Sequence, residues 1–189
     1  MQTRSATVLF SGGIDSLCCV DFLRTQGFLV QGLFVNYGQV AASHEREAVE
    51  ALASKMQIPM QSVYCEAKRH FSSGEVIGRN QLLISLGLVY SGMTTGVLAI
   101  GIHAGTDYFD CSEKYFQSSA SLIAEQSNGR IELVAPFLTW QKTEIYKFAL
   151  DRQLPIESTY SCEQGDWPPC GGCLSCRDRE NLHALQKSG

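Results

Sequence analysis

The sequence predicts an α/β chain built on a doubly wound, five-stranded parallel sheet. Three observations lead there. Short apolar runs rich in β-branched residues alternate with stretches of helical length. The glycine-rich and polar stretches fall just after the apolar runs, where open parallel sheets bind their ligands. The chain has 189 residues, 44% hydrophobic and 18% charged, which suits one sizeable core.

The elements follow in order. "ATVLF" (Ala6–Phe10) reads as a buried strand, and Ser16–Gly27 as a helix closed by Gly27. Leu29–Gly38 contains the second strand. Ala42–Gln57 is an amphipathic helix, charged on one face and apolar on the other. Pro59–Cys65 is the third strand, Asn80–Gly96 a mostly apolar helix, and Val97–Gly101 the fourth strand. Ser112–Ser127 reads as a helix, Ile131–Pro136 as the fifth strand, and Lys142–Gln153 as a helix with Thr143 near its start. Composition shifts near Pro155, after which Cys, Gly and Pro dominate. Residues 1–189 therefore read as a single domain with a metal-held appendage at about 160–180.

The formal net charge is −4, which argues against a sequence-independent nucleic-acid binder needing clustered Lys and Arg. No apolar run approaches the ~20 residues of a membrane span, and "MQTRSATVLF" has no signal-peptide core or cleavage site. A cytoplasmic location is the expectation. Eight cysteines are present, and four of them crowd residues 162–176. In a chain without a secretory signal, that clustering points to metal rather than disulfides.

The stretch Ser11-Gly12-Gly13-Ile14-Asp15-Ser16 lies between a strand and a helix. Glycines let the backbone turn sharply and approach an anion, and the helix start offers free N–H groups and its positive dipole end. Ser11 and Ser16 add hydroxyl donors. Asp15 would repel phosphate unless a cation bridges them, so Mg²⁺ is implied. The alternative is a plain turn with Ser16 as helix cap. Near the other end, "CEQGDWPPCGGCLSC" spaces Cys162, Cys170, Cys173 and Cys176 as C-x7-C-x2-C-x2-C. Four thiolates at such spacings fit a closed structural Zn²⁺ site, which holds structure rather than activating water. Free thiols, disulfides, a redox pair or an iron–sulfur cluster are the alternatives.

"SGGIDS" resembles the pyrophosphate loop of the PP-loop ATP pyrophosphatases, whose fold is adenine nucleotide alpha hydrolase-like. "CGGCLSC" (Cys170–Cys176), with Cys162 upstream, narrows the resemblance to the 7-cyano-7-deazaguanine synthase family. "NYGQ" (Asn36–Gln39), "GRN" (Gly78–Asn80), "DYFDCSEKYF" (Asp107–Phe116) and "PFLTWQKTEI" (Pro136–Ile145) resemble further stretches of that family. The resemblance implies an ATP-dependent C–N ligase. Such an enzyme adenylates the carboxylate of 7-carboxy-7-deazaguanine, transfers it to ammonia, and dehydrates the amide to the nitrile with a second ATP. It implies that Ser11, Gly12, Gly13, Asp15 and Ser16 bind pyrophosphate and metal, with Tyr37 and Gln39 near the nucleotide. Arg79 and Asn80 would meet the substrate, with the Arg79 fork suited to planar oxygens. Asp107 or Asp110 would accept from the guanine-like N–H edge, and Lys142 would neutralise charge on the activated acyl group. For each a plainer role stands alongside: Arg79 as a surface pair, Asp110 as a cap on the following helix, Tyr37 as packing, Lys142 as a solvated residue. His44, His70, His103 and His183 form no pattern and receive no role.

Two departures stand out. Glu66–Ile77 is abbreviated relative to the family, and Asp107–Cys111 lacks an insertion. Relatives in bacterial anti-phage systems join the activated deazaguanine to a protein amine, and a trimmed wall suits such an acceptor. The family also implies a homodimer, with Leu82–Val89 or the C-terminal end at the contact. A tRNA-thiolation enzyme and an inactive nucleotide-binding module are the competing readings.

Overall fold

The computed structural model describes residues 4–65, 71, 74–106 and 108–188. In chain order the elements are β1 (Ser5–Leu9), α1 (Ile14–Thr25), β2 (Leu29–Asn36), α2 (Ala42–Met56), β3 (Met60–Tyr64), α3 (Arg79–Tyr90), β4 (Gly96–Ala99), α4 (Glu113–Gln126), β5 (Ile131–Val134), α5 (Lys142–Asp151) and α6 (Leu174–Ser188). Short 3-10 turns lie at Phe109–Cys111 and Ile156–Ser158. The five strands form one parallel sheet in the order β3-β2-β1-β4-β5. The direction of winding reverses between β1 and β4. The loops after these two strands therefore diverge and leave a crevice at their carboxyl ends.

Strand periodicity divides the core. Ala6, Val8 and Phe10 of the first strand run, Val30 and Phe34 of β2, and Val97 and Ala99 of β4 face one layer. There they meet Leu17 and Val20 of α1, Val49 and Leu52 of α2, and Ile145 and Ala149 of α5. The alternate residues Leu9, Leu33, Val35, Leu98 and Ile100 face the other layer, with Ile84 of α3 and Ile123 of α4. Both sheet faces are covered, which is why these strands read as near-continuous apolar runs.

The boundaries differ from expectation where local geometry intervenes. The helix expected over Asn80–Gly96 begins at Arg79 and ends at Tyr90, because Gly92 (φ 66°) and Gly96 (φ 125°) take left-handed conformations and lead into β4. α5 starts at Lys142 as expected, where the Glu144 carboxylate accepts from the Gln141 N–H (2.7 Å), the reciprocal arm of a capping box, and it ends at Asp151, two residues before the expected Gln153. The helix α6 was not expected at all. Among its described side chains only Cys176 and Leu182 are buried.

The layer between α1 and α5 has an aromatic centre. Phe137 is fully buried, with ring centroids 5.7 Å from Phe22, 5.0 Å from Trp140 and 5.7 Å from Phe148. Phe137→Ala should lower the free energy of unfolding by about 3–5 kcal/mol. Urea denaturation would read this as a lower midpoint at unchanged slope.

Candidate active site

The Ser11–Ser16 turn forms as the residue types dictate. Gly12 takes φ 79°, and a Cβ there would lie 3.0 Å from the Glu45 carbonyl oxygen and 3.1 Å from the Ala48 Cβ. Only glycine lets the turn pack against α2 in this conformation. Gly13 stands at the N-cap of α1 without a side-chain cap, which leaves that helix start open toward the crevice. Ser16 donates to the Gly13 carbonyl (3.0 Å), and its hydroxyl lies 3.4 Å from that of Ser11.

Asp15 sits in the first turn of α1, where Lys142 from the start of α5 hydrogen-bonds its Oδ2. The second oxygen, Oδ1, is buried and accepts no hydrogen bond among the described residues. A buried carboxylate oxygen left open beside an uncapped helix start is what a bridging cation would complete. His103, just beyond β4, presents Nε2 4.0 Å from Asp15 Oδ2, and its Nδ1 accepts the Gly105 N–H (3.0 Å). Burial holds its imidazole below the ordinary histidine range, against the upward pull of Asp15.

Across the crevice, the Gln39 amide accepts from the Tyr37 N–H (2.9 Å) and donates to the Val35 carbonyl (3.2 Å) and Glu45 Oε2 (2.7 Å). Gln39 thus shapes the loop after β2. Burial pushes the Glu45 carboxyl above its ordinary range, partly offset by the Gln39 amide and by nearby Arg79. Burial also raises the Tyr37 phenol, opposed by Arg79.

Asn80 and Asp110 are buried together. Asp110 Oδ2 accepts the Asn80 N–H (3.2 Å) and the Asn80 amide donates to the Asp110 carbonyl (2.9 Å). Asp110 therefore caps the start of α3, not the following helix. That helix, α4, is capped by Ser112, whose hydroxyl accepts the Tyr115 N–H (3.2 Å). Burial, reinforced by Asp110, pushes the Cys111 thiol up to about 11. Asp107 lies outside the described residues, as does His70.

These groups line one cleft of about 340 Å³, which takes in Ser11, Gly13, Asp15, Ser16, Tyr37, Gln39, Arg79, Asn80 and Lys142. Gly12 lies behind the turn, and the Asp110 side chain faces α3 rather than the opening. Sequence reasoning missed His103, Glu45, and Asp178 and Arg179 of α6, all of which line the same cleft. His103 was findable, since it follows the end of a parallel strand. The α6 pair was not, because nothing local places that helix over the site. Arg179 anchors it, donating to the carbonyls of Thr159 (2.9 Å) and Ile156 (3.0 Å).

The four C-terminal cysteines converge. The sulfurs of Cys162, Cys170, Cys173 and Cys176 all lie within 4.8 Å of one another. A zinc tetrahedron with bonds of about 2.3 Å has edges near 3.8 Å, so a small contraction closes the site. The Cys170 N–H donates to Cys162 Sγ (3.4 Å) and the Cys173 N–H to Cys170 Sγ (3.3 Å), which suits thiolate acceptors. The cluster could therefore bind zinc. It packs with Ala41 and Ala48 of the α2 region and with Tyr160, whose N–H donates to the Gly12 carbonyl (3.0 Å).

The chain matches the family model described as "Queuosine biosynthesis protein QueC" over residues 5–74 and 66–188. It belongs to that family. The chain is 32% identical to the 7-cyano-7-deazaguanine synthase of Prochlorococcus marinus (strain NATL2A), covering 100% of this chain and 96% of that one. It is 27% identical to 7-cyano-7-deazaguanine synthase 1 of Desulfitobacterium hafniense, covering 99% and 94%. These relatives form an ATP-dependent ligase family. The Prochlorococcus match extends over 223 aligned positions against 189 residues here, so the relative is longer within the matched region. The two pieces of the family match meet at residues 66–74, inside the stretch read as abbreviated.

Two solved structures share the fold. One is described as a predicted subunit of tRNA methyltransferase from Methanocaldococcus jannaschii, with TM-score 0.54, 18% identity and coverage of 78% of this chain and 76% of that one. The other is an NH3-dependent NAD synthetase from Campylobacter jejuni, with TM-score 0.50, 15% identity and coverage of 100% and 76%. Among the described residues no helix is long and apolar enough to cross a membrane.

If the cysteine cluster is a structural zinc site, purified protein should carry one zinc per chain by elemental analysis. Cys176→Ser should lose most of that metal and unfold at lower temperature. Full zinc content in the variant would contradict the assignment.

Proposed function

We propose that this chain uses ATP to adenylate the carboxylate of 7-carboxy-7-deazaguanine and passes the acyl group to a nitrogen nucleophile. With ammonia the product is the amide, and a second activation gives 7-cyano-7-deazaguanine. The observation that carries this reading is the open Ser11–Ser16 turn with Asp15 and Lys142 at its edge, in a chain of this family. A carboxylate is a poor electrophile until one oxygen becomes part of a good leaving group. Its oxygen attacks the α-phosphorus, the bond to the β-phosphate breaks, and pyrophosphate departs. The nitrogen then attacks the acyl carbon and AMP leaves with the carboxylate oxygen.

In this scheme the turn's backbone donors, with Ser11 and Ser16, hold the departing pyrophosphate. Asp15 would hold Mg²⁺ through its open oxygen, and the ion would spread the phosphate charge. Lys142, tethered to Asp15, faces the negative charge that develops at the α-phosphate. Tyr37 and the loop held by Gln39 flank the nucleotide. Arg79 binds substrate oxygens, and Asn80 with Asp110 fixes the start of α3 so that Arg79 is presented to the cleft. Asp107 is the residue we assign to the N–H edge of the base. Zinc at Cys162, Cys170, Cys173 and Cys176 keeps the wall beside Gly12 in place.

A protein amine is a second acceptor reading, which would place the chain with anti-phage relatives. What favours it is the shortness of the chain, 189 residues against 223 aligned positions in the Prochlorococcus match, because a trimmed protein leaves room for a polypeptide. A sulfur-transfer reaction on tRNA finds less support. Of the two thiols that line the cleft, Cys111 is pushed up to about 11 by burial and Cys162 belongs to the four-sulfur cluster. We assign the exposed apolar side of α3, with Leu82, Val89 and Tyr90, to contact with a second copy, and a sedimentation experiment giving only monomer would remove that assignment.

Incubation with 7-carboxy-7-deazaguanine, MgATP and either ammonia or polypeptide amines should release AMP and give an adduct whose mass identifies the acceptor. Asp15→Ala and Lys142→Ala should each lower kcat by about 10²-fold or more with the fold retained. ADP release, or full activity in both variants, would refute the reading.

A further inference from the structure

We propose that His103 is a pre-set hydrogen-bond donor for the polyphosphate of the nucleotide, with its Nε2–H aimed at the anion beside Asp15 and Lys142. The inference rests on the cleft being an ATP site, and goes beyond it by assigning a donor that none of the family-like motifs contains.

The tautomer is dictated locally. The Gly105 backbone N–H can only donate, so Nδ1, which it meets at 3.0 Å, must be an unprotonated acceptor. A neutral imidazole then carries its single proton on Nε2. That atom lies 4.0 Å from Asp15 Oδ2, beyond hydrogen-bond reach, and it has no hydrogen-bond partner among the described residues. The side chain is 11% exposed and lines the cleft. An Nε2–H that faces the cleft with no protein partner among the described residues is free to donate to an acceptor bound there.

The direction of that donor is fixed by close packing. A Cβ at Gly101 would lie 3.1 Å from the Ser16 N and 3.2 Å from the Asp15 Cβ. The chain leaving β4 therefore runs hard against the first turn of α1, and His103, two residues later, leans over the helix start. The Ala104 N–H donates to the Trp140 carbonyl (3.1 Å), which ties the same loop to the entry of α5 and to Lys142. The helix start, Lys142 and His103 thus surround one region from three sides, and Asp15 supplies its cation-binding edge. The acceptor chemistry that fits a helix start, an ammonium and a neutral N–H donor is a polyphosphate.

The plain alternative is that His103 only shapes its own turn through Nδ1. Asparagine separates the two roles. Its Oδ1 can accept the N–H two residues on, as in an Asx turn, but it has no donor at the ε position. Glutamine carries an N–H at that distance.

The test is titration of the full-length protein with magnesium pyrophosphate alone, read by calorimetry. His103→Asn should bind about ten- to a hundredfold more weakly than wild type, as for loss of one hydrogen bond to a charged group. His103→Gln should stay near wild type, with Asn and Gln unfolding at similar temperatures. In turnover, His103→Asn should lower kcat more than it raises KM for deazaguanine. Nitrogen-15 NMR of the wild-type imidazole gives a readout that needs no variant: protonated Nε2, bare Nδ1, and a displaced Nε2–H signal on adding pyrophosphate. Equal affinity in His103→Asn, or an Nε2–H that ignores pyrophosphate, overturns the inference while leaving the ATP cleft standing. Wild type that binds no pyrophosphate overturns both.

Discussion

The structure depends on how closely the backbone approaches itself at Gly12. The residue stands in a left-handed conformation under the first turns of α2, and its carbonyl accepts the Tyr160 N–H. One small residue thereby joins three parts of the chain: the exit of β1, the face of α2 and the segment leading into the cysteine cluster. Any side chain at that position would push α2 away and open the turn. The start of α1 is left uncapped and available only because this packing supports the turn from behind.

The cleft follows from sheet order and from that turn. With β1 and β4 adjacent and winding reversed between them, the loops after both strands must border one crevice. Asp15 and His103 come from those two loops, and Lys142 arrives from the start of α5. The fourth wall is less general. It comes from α6 and the cysteine segment, so a metal held far along the chain and an anion held near its beginning would act on the same backbone.

The sequence was most informative where a single physical rule acts. β1, β2 and β4 were legible because parallel strands buried on both faces are near-continuous apolar runs, while the edge strands β3 and β5, with only Val63 and Leu133 buried, were legible from their place between helical stretches. The strand–turn–helix at Ser11–Ser16 was legible because few residues besides glycine serve there. The four cysteines were legible from spacing alone, and their sulfurs converge. What remained hidden depends on distant partners. α6 has few buried side chains, Cys176 and Leu182, and is tied down by polar contacts from Arg179 to Ile156 and Thr159 and from Ser175 to Glu163. Asp110 looked like a cap for the helix that follows it, but Ser112 is the nearer and better placed cap, and the 3-10 turn at Phe109–Cys111 aims Asp110 back at α3. Gln39 belongs to the cleft, yet its amide is committed to its own loop and to Glu45, a pairing invisible in one dimension.

The central claim is that the Ser11–Ser16 turn serves cleavage at the α-phosphate of ATP, with the carboxylate of a small molecule as the attacking group. Oxygen labelling tests it most directly. 7-Carboxy-7-deazaguanine bearing ¹⁸O in its carboxylate would be turned over with unlabelled ATP, and the phosphorus products analysed by mass. The account predicts one labelled oxygen in the phosphate of AMP, with none in pyrophosphate. Label in inorganic phosphate, with ADP as the nucleotide product, would contradict it.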